Sequence, residues 1–200
     1  MPARPPIDPR GIYHVGSRGT YGRALFRTVA EHELFLDLFG RTARKYGWRT
    51  LAWALMKNHH HFVIRLTTGR LSEGMREIHS GYSRRIHAVY GQTRKGHLFR
   101  HGFFARLLPT DSGVVAACSY VDLNPSTSRI SARPRKSDWC GLAATLGTAP
   151  RRAFHFPEDI LALLGNDLGQ ARRAYVELLD DSHRRRVSLR QTTVTELRRD

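Results

Sequence analysis

The chain has 200 residues, which fits one domain with a modest appendage and excludes a long multidomain assembly. Its 33 Lys and Arg outnumber its 17 Asp and Glu, so the formal net charge is +16 and the first partner to consider is a polyanion, either nucleic acid or an anionic membrane surface. With 25% charged and 40% hydrophobic residues, disorder throughout the chain is not expected, and two cysteines are too few for a disulfide framework or a cysteine-based zinc site.

The sequence predicts neither a membrane span nor a secretory signal. No stretch reaches the roughly 18 uninterrupted apolar residues that a transmembrane helix needs, and residues 1–10 form a proline-rich arm without an apolar core. No basic amphipathic anchor or lipidation signal accompanies the positive charge, which argues against a membrane surface as the partner. We therefore expect a soluble intracellular protein with reduced thiols.

The first half of the chain predicts one strand, one helix and a hairpin. β-forming residues at 12–17 end at a glycine-containing loop, which indicates a strand. Apolar residues then recur at helical spacing from 28 to 46, with Thr28 as N-cap and Gly47 as the stop. Residues 48–67 read as two antiparallel strands joined by a tight turn at Lys57 and Asn58.

The second half predicts a helix, a strand and another helix before the pattern weakens. A helix is expected over 72–90, opened by Ser72, followed by a loop at 91–96 and a strand within 98–110. Asp111 or Ser112 is expected to cap a third helix that Pro125 helps to end. A basic loop at 129–136 and amphipathic pieces at 157–164 and 169–180 follow. This order predicts a compact α+β domain with helices packed on one antiparallel sheet.

Two histidines in the second strand of the hairpin form the sharpest local motif. Side chains alternate faces along a strand, so His59 and His61 point the same way and His60 points to the opposite face. Two imidazoles on one face are suited to binding a divalent metal. An exposed polar strand face, or histidines hydrogen-bonded in a core, explains the same spacing.

The third predicted helix carries a possible nucleophile and a possible third ligand. Tyr120 and Asn124 are four residues apart, so they are neighbours on one helical face. An amide oxygen is a hard ligand suited to Mg²⁺ or Mn²⁺, and a tyrosine hydroxyl attacks phosphorus once its proton is removed or the phosphate is polarised. A tyrosine that packs the helix and an asparagine that caps it are the structural alternative.

Several blocks in a fixed order resemble a known family of enzymes. They are YHVGSRG at 13–19, FLDLF at 35–39, GWRTLAWALMKNHHHFV at 47–63, GHLFRHGFFARLL at 96–108 and YVDLNP at 120–125. This set resembles the single-tyrosine HUH transposases, and within them the REP-associated tyrosine transposases and the smallest insertion-sequence transposases. The block SDWCGLAATLG at 137–147 resembles a weaker block near the end of many members.

The resemblance implies a fold, a reaction and the residues that perform it. The fold would be a ferredoxin-like antiparallel sheet with helices packed on it. His59, His61 and Asn124 would bind Mg²⁺ or Mn²⁺, and Tyr120 would attack a single-stranded DNA phosphate to give a 5′-phosphotyrosine and a free 3′-OH. The substrate would be DNA that contains a hairpin, and the protein would act as a monomer or a homodimer.

Two residues depart from the family pattern. The middle residue of the HUH motif is usually bulky and apolar, but here it is His60, which would compete as a ligand if the strand register slipped. Lys57 stands where many relatives have a proline before the Asn-His pair. Neither departure affects the proposed nucleophile.

Six basic residues are candidates for contacting DNA. Basic and aromatic residues alternate at 96–101, as on surfaces that bind single-stranded nucleic acid, although a solvated charged face explains the same composition. The candidates are Arg18, Arg94, Lys95, His97, Arg100 and Arg106.

Together these observations predict a transposase that nicks DNA and transfers the strand. The predicted organisation is the N-terminal arm at 1–10, a catalytic domain at 11–147, a helical appendage at 148–182 and a basic tail at 183–200. Its location would be cytoplasmic, in association with the nucleoid. The alternatives are a domesticated hairpin-binding protein without catalysis, and an initiator or relaxase of the wider HUH superfamily. The short chain without helicase motifs argues against a full initiator.

Overall fold

The structure is a computed structural model that describes residues 7–94, 96–100, 102–126 and 139–196; at residues 92, 93, 126 and 186–196 it describes the backbone alone. Its strands are β1 (Ile12–Arg18), β2 (Arg49–Met56), β3 (His59–Arg65) and β4 (Phe104–Leu107). Its helices are α1 (Val29–Lys45), α2 (Leu71–Tyr90), α3 (Asp111–Leu123), the short α4 (Leu142–Thr145) and α5 (Glu158–Leu161), and α6 (Leu168–Glu196). Within these ranges no helix combines the length and apolarity needed to cross a membrane.

The four strands form one antiparallel sheet in the order β2-β3-β1-β4. The chain order β1-α1-β2-β3-α2-β4 with this strand order is the ferredoxin-like arrangement, so the predicted fold class is confirmed. β1 occupies a central position between β3 and β4, although it comes first in the chain.

Each face of the sheet has its own apolar core. On one face, α1 and α2 pack through aromatic residues such as Phe35, Phe39 and Tyr82 against Phe62 of β3. On the other face, α3, α5 and α6 pack mainly through aliphatic and small residues such as Val63 and Val121, together with the aromatic Tyr175. The domain is therefore a three-layer structure, and side chains that alternate along one strand enter different layers.

The sequence predictions for helix starts require two corrections. Thr110 caps α3, because its hydroxyl accepts the Gly113 N–H at 3.2 Å, and neither Asp111 nor Ser112 takes this role. α2 begins at Leu71 after Arg70, without a side-chain cap, so Ser72 does not open it.

α6 continues as a helix to Glu196, through most of the segment predicted as a basic tail. The predicted basic loop at 129–136 lies outside the described residues.

The outer edge of β2 is covered by two segments that the sequence did not assign to the sheet. Trp53 accepts a backbone hydrogen bond from Gly141, and Thr50 exchanges backbone hydrogen bonds with Phe154 and Phe156. His155 lies in the chain between Phe154 and Phe156. It is fully buried, and its Nε2 lies 3.2 Å from the Leu51 carbonyl oxygen. These contacts shield an otherwise unpaired strand edge.

Burial of His155 predicts a loss of stability in acid. Burial lowers the pKa of His155 to about 4, so the folded state binds its proton less readily than the unfolded state does. The contribution to stability is present above pH ~6.5 and decreases as the pH falls toward the folded pKa, by about 1.4 kcal/mol between pH 7.5 and pH 5.5. Chemical denaturation of His155→Leu at the two pH values should show a pH dependence smaller by this amount. The exposed His97→Leu serves as the control, and an unchanged difference in His155→Leu would contradict the assignment.

Candidate active site

β3 presents His59 and His61 to α3 and His60 to the opposite layer. The rings of His59 and His61 lie 5.3 Å apart, and His61 is only 8% exposed. His60 is fully buried beside Phe35 of α1 and lies within 3.2 Å of His79 in α2. His60 thus fills the position of the usual bulky residue, and the observed register places it away from the other two histidines.

α3 brings the predicted nucleophile to the same face of the sheet. The Tyr120 ring lies 5.6 Å from the ring of His61, and 42% of the Tyr120 side chain is exposed. Asn124 follows one turn later as the C-cap residue, where its Nδ2 donates to the Tyr120 carbonyl at 2.9 Å. The amide nitrogen rather than the oxygen takes part in this bond. β3 and α3, far apart in the sequence, thus place Tyr120 beside His61 with part of the Tyr120 side chain open to solvent.

His14 is a residue of this site that the sequence analysis did not single out. Its Nε2 lies 2.9 Å from Nδ1 of His61, and its ring lies 5.7 Å from the Tyr120 ring. The Phe104 ring meets it edge-on at 5.1 Å. Alternation along β1 places His14 on the same face as Gly16, but only the pairing of β1 with β3 brings it to His61.

Gly16 makes room for this arrangement in the middle of β1. It is paired with His61 on one side and Phe104 on the other. A Cβ on Gly16 would lie 2.5 Å from the Phe104 ring and 2.7 Å from the His60 carbonyl oxygen. The absence of a side chain therefore lets Phe104 fold over the strand and cover His14.

The histidines of the site are held neutral. Burial, followed by the effect of His14, lowers the pKa of His61 to about 3, and burial together with Arg106 lowers the pKa of His14 to about 4. The pKa of His59 is also lowered, by burial and by the charge of Arg18. Neutral imidazole is the form that binds metal ions, so the two predicted ligands, His59 and His61, are in the required state near neutral pH.

The hydrogen bonds of the two predicted ligands fit a metal bound through Nε2. Nδ1 of His59 lies 2.7 Å from Oδ1 of Asn58, and an amide oxygen only accepts, so Nδ1 carries the proton and Nε2 the lone pair. Nδ1 of His61 is likewise engaged, by His14. Among the described residues no three His, Cys, Asp or Glu side chains converge as a metal site. The predicted set instead takes its third ligand from an amide, which suits Mg²⁺ or Mn²⁺.

The back of α3 is anchored to α6 by a buried polar contact. The Tyr175 hydroxyl donates to Oδ2 of Asp122 at 2.7 Å, and both side chains are buried. Burial raises the pKa of Asp122 to about 7, against the opposing effect of the Tyr175 hydrogen bond. Asp122 and Tyr120 point to different sides of α3, so this contact holds the helix that carries Tyr120 without taking part in its exposed surface.

Four of the predicted DNA contacts lie at the surface near the site. Arg18 pairs with His59 in the sheet and Arg106 pairs with His14, and both arginines are exposed. His97 and Arg100 are also exposed, and they line a cavity of about 550 Å³ together with Tyr21, Phe99 and neighbouring backbone. Lys95 lies outside the described residues.

Tyr21 is the most exposed aromatic residue at this cavity. Its side chain is 91% exposed, and its backbone has a positive φ of 52°, which is uncommon for a residue other than glycine. An exposed aromatic ring beside arginines is typical of surfaces on which unpaired bases stack. Tyr21 was not among the residues predicted from the sequence to contact DNA.

Arg94 is not placed where it would contact DNA. Its side chain is 3% exposed and forms an ion pair with Glu31 at 3.0 Å. Its Nη2 also donates to the carbonyl oxygens of Ala24 and Leu25. The guanidinium ties the loop after β1 to α1 and to the turn after α2. The prediction that Arg94 binds DNA is therefore replaced by a structural role.

Different effects are expected when Arg94 and Arg100 are mutated. Arg94→Leu leaves the buried Glu31 carboxylate without its cationic partner, so the free energy of unfolding should fall by about 3–5 kcal/mol. Arg100→Ala removes an exposed charge and should change stability by less than about 0.5 kcal/mol while weakening binding of single-stranded DNA. Urea denaturation and fluorescence anisotropy with a labelled oligonucleotide measure the two effects. A stable Arg94→Leu protein would contradict the structural role.

A family model described as "Transposase IS200 like" matches residues 10–123. The match covers more than half of the chain and includes β1 to β4, both histidines of the motif and Tyr120. The chain belongs to the IS200-like transposase family. Its predicted relationship to these transposases is therefore confirmed.

The fold of this IS200-like family member is also similar to that of solved structures. A REP-associated tyrosine transposase bound to a REP hairpin aligns with a TM-score of 0.62 and 13% identity, over 75% of this chain and 88% of that chain. The tRNA(His) guanylyltransferase of Saccharomyces cerevisiae aligns with a TM-score of only 0.44 and 12% identity, over 90% of this chain and 82% of that chain. No curated protein matches the sequence.

Proposed function

We propose that this IS200-like family member is a transposase that nicks single-stranded DNA through Tyr120 and rejoins the strand. The observation that carries the proposal is the position of the Tyr120 ring, 5.6 Å from the His61 ring, on the face of the sheet that also holds His59. A tyrosine that only packed its helix would not need to be 42% exposed beside the rings of His61 and His14.

The proposed reaction is a transesterification. The Tyr120 hydroxyl loses its proton and its oxygen attacks the scissile phosphorus, while the bond from phosphorus to the 3′ oxygen breaks. The products are a 5′-phosphotyrosine and a 3′-OH that has gained a proton, so no energy-rich cofactor is consumed. A 3′-OH that attacks the phosphotyrosine reverses these bond changes, rejoins a strand and restores the phenol.

His59, His61 and Asn124 would hold the metal ion that this chemistry uses. A bound Mg²⁺ or Mn²⁺ would polarise a non-bridging phosphate oxygen and stabilise charge in the transition state. The chain itself contributes position: α3 is fixed against α6 by Asp122 and Tyr175, so the Tyr120 side chain starts from a defined backbone.

DNA that combines a hairpin with an unpaired strand is the proposed substrate. Only an unpaired, flexible strand can present its phosphate to Tyr120 in line, and the +16 charge favours a polyanion. Arg18 and Arg106 border the histidines, and the Tyr21 ring stands near Arg100 at the adjacent cavity. The structural relative was solved with a REP hairpin, and we extend hairpin binding to this chain on that basis.

Two other functions make different predictions. A domesticated hairpin-binding protein would retain the basic surface but would not depend on Tyr120, His59 or His61. A relaxase or initiator-type nickase would share these residues and this chemistry and would differ in the DNA site that it cleaves. Exposure of Tyr120 beside the histidines favours catalysis over the binding protein.

The covalent intermediate provides a direct test. The purified chain is incubated with labelled oligonucleotides that carry a hairpin and an unpaired flank, with Mn²⁺, Mg²⁺ or EDTA, and is then run on a denaturing gel. A labelled band at the mass of protein plus DNA, present with metal and absent with EDTA, is expected. Addition of an acceptor strand with a 3′-OH distinguishes transfer from simple nicking. Tight binding without an adduct under any metal would favour the non-catalytic alternative.

A further inference from the structure

We propose that His14 is a positioning residue for His61: it accepts the Nδ1–H of His61 and thereby fixes the tautomer in which Nε2 of His61 carries the lone pair. This inference rests on the proposed metal-dependent function. It assigns a role to a side chain of β1, outside the histidine motif of β3 and outside the helix that carries Tyr120.

The contact between the two rings leaves only two arrangements. Nε2 of His14 and Nδ1 of His61 are 2.9 Å apart, with ring centroids 5.0 Å apart and the planes tilted by 38°. Between two neutral imidazoles one nitrogen must donate and the other must accept. If Nε2–H of His14 donates, Nδ1 of His61 accepts. The single proton of the His61 ring then sits on Nε2, which has no lone pair for a metal. If His61 donates, its Nε2 is the ligand atom.

His59 has the same arrangement with a partner that allows only one direction. Oδ1 of Asn58 lies 2.7 Å from Nδ1 of His59, and the Asn58 amide nitrogen is turned toward the Gly22 carbonyl at 3.4 Å. His59 must therefore donate through Nδ1. With His14 as acceptor for His61, both histidines of the motif expose the same nitrogen, Nε2, as a pair of ligands requires. Such partners of ligand histidines orient the ring and fix its tautomer.

The surroundings of His14 hold its ring in place. Phe104 packs edge-on against it at 5.1 Å with an interplanar angle of 89°, and the Tyr120 ring lies 5.7 Å away on the third side. Phe104 reaches this position because Gly16 has no side chain in its path. β1 therefore contributes a rigid acceptor, and its role does not require contact with DNA or with the metal.

Two substitutions separate a positioning role from a general structural one. His14→Ala removes the acceptor, and the affinity for Mn²⁺ should fall about 10- to 100-fold. His14→Gln supplies an amide oxygen that can accept the same hydrogen bond, so most of the affinity should return. His183→Ala, on α6 and outside the proposed metal and DNA sites, should keep the wild-type affinity for Mn²⁺. A positioning residue also predicts that adduct formation by His14→Ala recovers at saturating Mn²⁺.

The test combines metal affinity with the tautomer of His61, both measured on the full chain without DNA. Mn²⁺ affinity is measured by calorimetry, and ¹⁵N NMR of the metal-free protein reports which nitrogen of His61 is protonated. Support requires an Nδ1–H tautomer in the wild type, its loss in His14→Ala, and rescue of affinity in His14→Gln. Equal Mn²⁺ affinities of wild type and His14→Ala, or an Nε2–H tautomer in the wild type, would overturn the inference.

Failure of the proposed function gives a different result. A wild-type chain that binds no Mn²⁺ would overturn the metal-dependent function and the positioning role together. A wild type that binds Mn²⁺ and forms the adduct, with His14→Ala unchanged in both, would overturn the role of His14 alone.

Discussion

Tyr120→Phe is expected to abolish the covalent protein–DNA adduct, with a loss of at least ~10³-fold, because the substitution removes the only atom that attacks phosphorus in the proposed reaction. The ring stays in place, so the contacts with His14 and His61 remain. Binding of a hairpin oligonucleotide should change less than about threefold, since the basic surface is untouched. The measurement is the yield of labelled adduct on a denaturing gel with Mn²⁺.

Tyr21→Phe is the matched control for this experiment. Tyr21 is the more exposed tyrosine, at 91% against 42% for Tyr120, so it tests whether any accessible phenol becomes labelled. It should form the adduct at the wild-type level. Adduct formation by Tyr120→Phe at the wild-type level would show that Tyr120 is not the nucleophile.

Replacement of either histidine that faces α3 is expected to weaken Mn²⁺ binding by at least ~10²-fold, since each removes one of three proposed protein ligands. His59→Ala and His61→Ala should therefore lose adduct formation at limiting metal concentration. Calorimetric titration of Mn²⁺ and the adduct assay over a range of Mn²⁺ concentrations provide the two measurements.

His60→Leu is the control from the same strand. Its side chain enters the opposite layer, against Phe35 and His79, so it should leave the Mn²⁺ affinity unchanged even if it alters stability. If His60→Leu lowers the affinity as much as His61→Ala, or if neither His59→Ala nor His61→Ala lowers it, the proposed ligand set is wrong.

Local sequence patterns predicted the elements of the fold because they depend on short-range chemistry. The turn at Lys57 and Asn58 and the alternation of the strands predicted the hairpin, and Thr28 was identified as the cap of α1. The cap of α3 was misassigned because Thr110, Asp111 and Ser112 are all good capping residues. Which of the three caps the helix depends on the backbone geometry at the helix start, and the local sequence does not specify that geometry.

The basic composition of a segment does not predict which of its residues are exposed to DNA. Arg94 and Arg100 occur in the same basic stretch, yet one is 3% exposed and paired with Glu31 while the other is exposed at a cavity. The ion pair joins residues 63 positions apart. A run of basic residues therefore indicates an anionic partner but does not tell which members face it.

The sequence by itself determined the charge, the order of the elements and the pairing of His59 with His61 on one face, since alternation along a strand follows from backbone geometry. Only the tertiary structure decided that His14 joins them, from 47 positions away, because β1 inserts between β3 and β4. It also decided that α3 packs on the same face and carries Tyr120 to His61. Strand order and helix packing arise from long-range burial of apolar surface, which no local pattern encodes.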